Sequence, residues 1–339
     1  MKVLGIESSC DECAAAVVED GKRVLSSVVA SQVPFHEKYR GVVPELASRM
    51  HVEWIQPVVS EALDKAGLRP SELDGVAVTA KPGLSGSLLV GVQYAKGFAW
   101  VAGKPWVGVD HILAHLYAPQ LERDLAYPFL GLLVSGGHTI ICRVLGFDSI
   151  EVMGTTIDDA AGEAFDKVAT FYGIGYPGGA AIDRLAKDGD PTAFRFPAPK
   201  MEKGDHAYDV SYSGLKTAAI NQLERFRRPG HRGIAQADIA ASFQRAAIDI
   251  LVSRLLRAIE DTGIRVVVAG GGVAANSYLR ARLAEEKGLE AIFPPLALCG
   301  DNGAMVAGLG CRMLERGDRS PLSLAPSSRV PLFKRRGAA

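Results

Sequence analysis

The sequence predicts an α/β fold built twice, and three observations carry that expectation. Short runs rich in apolar and β-branched residues alternate with stretches of helical periodicity. The order of these elements, three strands followed by helix, strand and helix, occurs once in each half of the chain. Glycine turns stand at the ends of several predicted strands, where α/β proteins bind ligands. Together they imply two lobes with a cleft between them.

In the first half, strands are expected over 3–7, 14–19 and 23–30, then a helix over 44–66. Leu46, Met50, Trp54, Val58 and Leu63 recur at helical spacing, and Gly67 ends the run. A buried strand over 75–79, a glycine-rich loop (KPGLSGS), an apolar helix to residue 102 and a strand over 107–109 complete this unit. The second half has strands over 129–135, 139–145 and 149–154 and a helix over 160–172. An insertion over about 175–235, rich in Pro, Gly and charge, interrupts it. A helix over 237–262, a strand over 265–269, a helix to 287, a strand over 291–293 and a helix over 301–315 follow. The expected domains are 1–110, completed by 311–339, and 111–310.

Composition narrows the class. The chain has 339 residues, enough for two domains. Lys plus Arg and Asp plus Glu are equal at 38 each, so no global basic field announces nucleic acid. The basic runs 225–233 and 333–337 are local candidates for phosphate contact, or solvated surface. The opening MKVLGIESSCDE has one Lys and a short apolar run, unlike a signal peptide. The most apolar stretch, GSLLVGVQYAKGFAWVAG, is cut by Gln93 and Lys96, so no membrane span is expected. The five cysteines are odd in number and mostly far apart, which argues against a disulfide framework and for the cytoplasm. Cys10 and Cys13 form a lone CxxC in a turn between strands, without the helix that redox motifs use.

Three constellations could carry chemistry. Turns at 83–86, 135–138 and 270–272 can expose consecutive N–H groups to a phosphate, or simply close hairpins. None matches a P-loop or Rossmann fingerprint. His111 and His115, in GVDHILAHLYAP, share a helical face and can reach one ion, unless they are unrelated polar residues. Ile112 stands where a zinc protease needs its general-base Glu, which disfavours proteolysis. Asp301 in CGDNGAM is the best third ligand. Among the acidic residues near the turns, Glu7, Asp158 and Asp159 read as caps or turn formers, and Asp11 as the acid–base candidate.

The motifs then run in a recognisable order: IESSCDE (6–12), GVVPELASR (41–49), DHILAH (110–115), LVSGGHT (133–139), IDDAAGEAFDK (157–167), YPGG (176–179), SYSGLKT (211–217), GGGVAANSYLR (270–280) and GDNGAM (300–305). The chain resembles the bacterial tRNA N(6)-adenosine threonylcarbamoyltransferases, the TsaD family, formerly called glycoproteases or O-sialoglycoprotein endopeptidases. The resemblance implies a duplicated actin-like ATPase (ribonuclease H-like) fold. It implies one divalent metal per subunit, Fe2+ or Zn2+, held by His111, His115 and Asp301. It implies that Leu133, Val134, Ser135, Gly136, Gly137, Asp166, Gly179, Asp183 and Asn276 bind threonylcarbamoyl-AMP. Asp11 matches the acid that assists transfer to the N(6) amine of the adenosine beside the anticodon, in tRNAs reading codons that begin with A. The implied partners are a smaller paralogue (TsaB-like) and a P-loop ATPase (TsaE-like). The chain departs from the family pattern at Lys81 and Gly300, where Gly and Thr are usual. Two other readings stand beside this one: an ATP-dependent kinase of the same superfamily, and a non-catalytic scaffold paralogue.

Overall fold

The computed structural model describes residues 1–39, 41–197, 206–226 and 236–329. In chain order the first strands and helices are β1 (Lys2–Glu7), β2 (Glu12–Glu19), β3 (Arg23–Ser31), α1 (Val33–His36), α2 (Pro44–Ala66), β4 (Gly75–Lys81), α3 (Ser85–Ala102), β5 (Trp106–Asp110) and α4 (His111–Tyr117). Then come β6 (Phe129–Val134), β7 (Thr139–Gly146), β8 (Ser149–Thr155), α5 (Ala161–Tyr172), α6 (Gly178–Ala186), α7 (Ser213–Phe226), α8 (Gln236–Thr262), β9 (Val266–Gly270), α9 (Ser277–Ala284), β10 (Glu290–Ile292) and α10 (Gly303–Arg316).

Two five-stranded sheets result, ordered β3-β2-β1-β4-β5 and β8-β7-β6-β9-β10. In each, the first three strands are antiparallel neighbours and the last two join in parallel. The element order repeated in the sequence is therefore one sheet topology used twice. The chain divides into Met1–Ala126 with Pro294–Ala339, and Tyr127–Phe293. The sequence placed the divisions at 110/111 and 310/311. Helix α4 and the start of α10 lie in the first unit because each packs on the other and on the first sheet.

The first unit is built around β1, the middle strand of its sheet. Val3, Leu4 and Ile6 are fully buried there, each contributing about 1.5–3 kcal/mol through lost apolar surface. Gly5 has no side chain for a packing reason. A Cβ at this position would lie 2.2 Å from the Gly303 carbonyl oxygen and 2.4 Å from the Ala307 nitrogen. A Cβ on Gly303 would in turn lie 2.6 Å from the Ala16 nitrogen and 2.7 Å from the Ala15 carbonyl carbon of β2. These absences let α10 lie directly on the sheet, which fixes the position of its leading residues, Asp301 and Asn302. Asn302 caps the helix, its Oδ1 accepting from the Met305 N–H at 3.0 Å. Helix α2 matches its expected bounds. Pro44 opens it, and Gly67 closes it in the left-handed region at φ +66°.

The second unit holds two helices that the sequence reading passed over as insertion, α6 and α7. Asp158 caps α7: its carboxylate accepts from the Tyr212 N–H at 2.8 Å and from the Ser211 hydroxyl. Asp159 pairs with Lys167 at 2.6 Å and with Lys216. Both acids thus hold local structure, as their positions suggested. The basic runs 225–233 and 333–337 lie, but for the last two residues of α7, outside the described residues. No described helix is long and apolar enough to cross a membrane.

Candidate functional site

Helix α4 begins directly at the end of β5. Asp110 makes the junction, accepting from the N–H groups of Ile112 at 2.9 Å and Leu113 at 3.3 Å. That cap turns His111 and His115 toward the same side, with ring centroids 4.5 Å apart and an interplanar angle of 80°. Both imidazoles are buried. Asp301, delivered by α10, completes the group. Its Oδ1 lies 3.0 Å from His115 Nε2 and 3.6 Å from His111 Nε2. One donor atom from each residue falls within 4.8 Å of the others. Two imidazole nitrogens and a carboxylate oxygen are a donor set that suits zinc or ferrous iron.

The charges around this group point the same way. Burial opposes a proton on His111, but Glu7 and then Asp301 overcome it and raise the imidazole to about 9. His115 is pushed down by burial and by the neighbouring His111 charge. Glu12 is pushed up to about 9, first by burial and then by Asp301 and Asp11. The Glu7 and Asp301 carboxylates thus favour positive charge at this group, which a divalent ion in place of the His111 proton would supply, and the residues fit such a metal.

Asp11 sits in the turn joining β1 to β2 and is 8% exposed. The turn is pinned at both sides. Its Asp11 carbonyl accepts from the Gln32 N–H at 2.9 Å, and the Cys10 carbonyl lies 2.9 Å from His51 Nε2. Asp11 and Asp301 both stand near enough to Glu12 to raise its carboxyl. The nearby thiols are poorly suited to nucleophilic work: burial raises Cys10 and pushes Cys13 up to about 12.

Glu7 is the residue that sequence reasoning missed. Its carboxylate is fully buried and lies 2.9 Å from His111 Nδ1. It also accepts from the Ser9 N–H at 2.6 Å and the Thr79 hydroxyl at 2.6 Å. An ionised side chain ending a central strand has no water to face and must have partners, a signal available from the strand pattern alone.

In the second unit, the expected nucleotide residues surround the ends of two adjacent parallel strands. The turn after β6 is closed by the Ser135 N–H donating to the His138 carbonyl at 2.8 Å. Gly136 and Gly137 are exposed, and a Cβ on either would meet nothing within 4 Å. Leu133 and Val134 precede them in β6 with side chains in the core, so only their backbone could face a ligand. The turn after β9 packs against this one: Gly271, at φ +91°, would place a Cβ 2.4 Å from the Val134 carbonyl oxygen. Gly162 of α5 approaches Ser135 and Gly136 from the other side. Asp166 accepts from the Gly178 N–H at 2.6 Å, which sets the start of α6 and places Gly179 in its first turn. Asp183 accepts from the Ser277 hydroxyl at 2.7 Å. Asn276 caps α9 and donates to Gln244 at 2.9 Å.

Against this geometry, the sequence matches the TsaD family, tRNA N6-adenosine threonylcarbamoyltransferase, over residues 23–308. The chain belongs to this family. Among curated members, the threonylcarbamoyltransferase of Treponema denticola is 60% identical, covering 99% of both chains. Those of Treponema pallidum and Borreliella afzelii are 55% and 51% identical, each covered over 96% of its length. Solved structures extend the likeness to fold alone. Full-length HypF has a TM-score of 0.61 at 16% identity, over 94% of this chain and 56% of that one. Component A of the (R)-2-hydroxyglutaryl-CoA dehydratase of Acidaminococcus fermentans has a TM-score of 0.57 at 17% identity, over 93% of this chain and 98% of that one. With these proteins the chain shares its fold, in which one sheet topology is used twice.

Proposed function

We propose that the protein transfers the threonylcarbamoyl group from threonylcarbamoyl-AMP to the N(6) amine of the adenosine beside the anticodon, in tRNAs reading codons that begin with A. The observation that carries this reading is the family match over most of the chain, together with the grouping of His111, His115 and Asp301. The amine forms a bond to the carbamoyl carbon, the bond from that carbon to the phosphate oxygen breaks, and AMP leaves. The attacking nitrogen gives up one proton.

An adenine amine is a weak nucleophile because its lone pair is delocalised into the ring. The protein's contribution is alignment and stabilisation of charge on the departing phosphate. The turn at Ser135–Gly136–Gly137 takes the adenylate, where backbone can approach closely. Leu133 and Val134 hold that turn from the strand below, while Asp166, Gly179, Asp183 and Asn276 complete the adenylate site. Asp11 receives or orients the proton of the amine. His111, His115 and Asp301 would hold Fe2+ or Zn2+, one per chain. Such an ion supplies positive charge that neutralises and orients an anionic donor. The reading includes a cytoplasmic location and the two partner proteins, a smaller paralogue and a P-loop ATPase.

The test is to follow label from the threonylcarbamoyl group of the donor, with tRNA and the partner proteins present. Label is expected in tRNA. A kinase would instead consume ATP and phosphorylate a small acceptor, and a scaffold would leave the donor intact.

The adenylate assignment has its own test. Gly137→Val is expected to weaken adenylate binding by about tenfold or more in calorimetry, with thermal stability preserved because its Cβ meets open space. Unchanged affinity would mean that the turn only closes the hairpin. Gly271→Val is a poorer variant, since its backbone conformation and the Val134 oxygen would strain the sheet itself.

A further inference from the structure

We infer that Glu7 is the positioning residue of the metal centre: it fixes the tautomer and ring orientation of His111 so that Nε2 faces the ion. The inference rests on the proposed metal site at His111, His115 and Asp301.

Three contacts define the arrangement. Glu7 ends β1 with a fully buried carboxylate, and one of its oxygens lies 2.9 Å from His111 Nδ1. The same oxygen accepts from Thr79 on the neighbouring strand β4, and the other accepts from the Ser9 N–H. The carboxylate therefore cannot swing away, because strand β4 holds one of its oxygens and the turn after β1 holds the other. A carboxylate accepts and does not donate, so the ring proton must sit on Nδ1. This leaves the lone pair of His111 on Nε2, the nitrogen that faces Asp301 at 3.6 Å.

The anchoring is specific to one of the two histidines. His115 Nδ1 is buried with no hydrogen-bond partner among the described residues. A carboxylate behind a ligating imidazole also makes that imidazole a stronger donor, and loss of such a partner typically costs about ten- to a hundredfold in metal affinity.

The experiment measures Co2+ and Zn2+ affinity of the full chain, stripped of metal, by competition against a chromophoric chelator. Glu7→Gln is the principal variant. It keeps the size of the side chain and can still accept from Nδ1, but it loses the charge and presents an NH2 group toward Ser9 or Thr79. Its affinity is expected to fall about ten- to a hundredfold, with a changed visible spectrum of the Co2+ form. Thr79→Val removes only one tether of Glu7, so its loss should be smaller and in the same direction. Thermal unfolding of the metal-free forms separates the roles. A purely structural Glu7 would lower the midpoint and leave the metal affinity and Co2+ spectrum of the folded protein unchanged, and that result overturns the inference. Wild-type protein that binds neither ion would overturn the metal site and this inference with it, whereas tight wild-type binding with an unchanged Glu7→Gln variant overturns the role of Glu7 alone.

Discussion

Asp11→Asn is expected to lower the single-turnover rate of threonylcarbamoyl transfer by about a hundredfold to ten-thousandfold, with donor affinity nearly unchanged. The expectation follows from where the charge acts. If Asp11 takes or orients the proton of the attacking amine, its effect belongs to the transition state, and turnover falls without a matching loss of binding. Asn keeps the size of the side chain and is as good a turn residue as Asp. The turn is also held by Gln32 and His51 through backbone carbonyls, neither of which the substitution touches. The fold should therefore tolerate it. A variant within a few-fold of wild type, with the partner proteins supplied, would move the acid–base role elsewhere. Glu12 is the next residue to examine. Its carboxyl, pushed up to about 9 by burial and then by Asp301 and Asp11, keeps its proton at neutral pH and suits an acid better than a base.

Loss of the metal ligands should have an effect of similar size on a different measurement. His115→Ala is expected to remove most of the bound metal, as read by elemental analysis of the purified protein. The fold should survive, since the Nδ1 of that ring bonds to nothing among the described residues and its Nε2 faces the partly exposed Asp301. His111→Ala should lose the metal too, but at a structural cost. It strands the Glu7 carboxylate, fully buried, without its cationic partner. Breaking a buried pair in this way costs about 3–5 kcal/mol, so a drop in thermal midpoint should accompany the loss. Full metal occupancy in the His111→Ala/His115→Ala double variant would show that the ion, if any, lies elsewhere.

Much of this was legible in the residues themselves. The repeated element order foretold two sheets of one topology, and the helix from Pro44 ends at Gly67 as its left-handed conformation requires. The His-x-x-x-His spacing places two imidazoles on one face because helical geometry is local, and the structure brings Asp301 beside them. Non-local packing was harder to read. Nothing in the strand KVLGIE announces that α10 will press on Gly5, so the placement of the start of α10 in the first unit is not readable from it. Glu7 reads as a turn former because it stands beside a strand-end turn, although its burial in a central strand makes it a partner of His111. Helix α6 begins with two glycines, which masks its periodicity, whereas α7 had a usable signal in Ser213, Leu215 and Ala219 that charge and Pro around it obscured.

The most direct test of the central claim compares two acceptor tRNAs that differ only in the base beside the anticodon. One carries adenosine there, and the other a purine without the exocyclic amine. Each is incubated with threonylcarbamoyl-AMP, this protein and its partners, and the released AMP is counted against the modified nucleoside by mass spectrometry. The account predicts one AMP for each threonylcarbamoyladenosine formed in the first tRNA, and no modification of the second. AMP released without modification of the first tRNA, or equal modification of both, would contradict it.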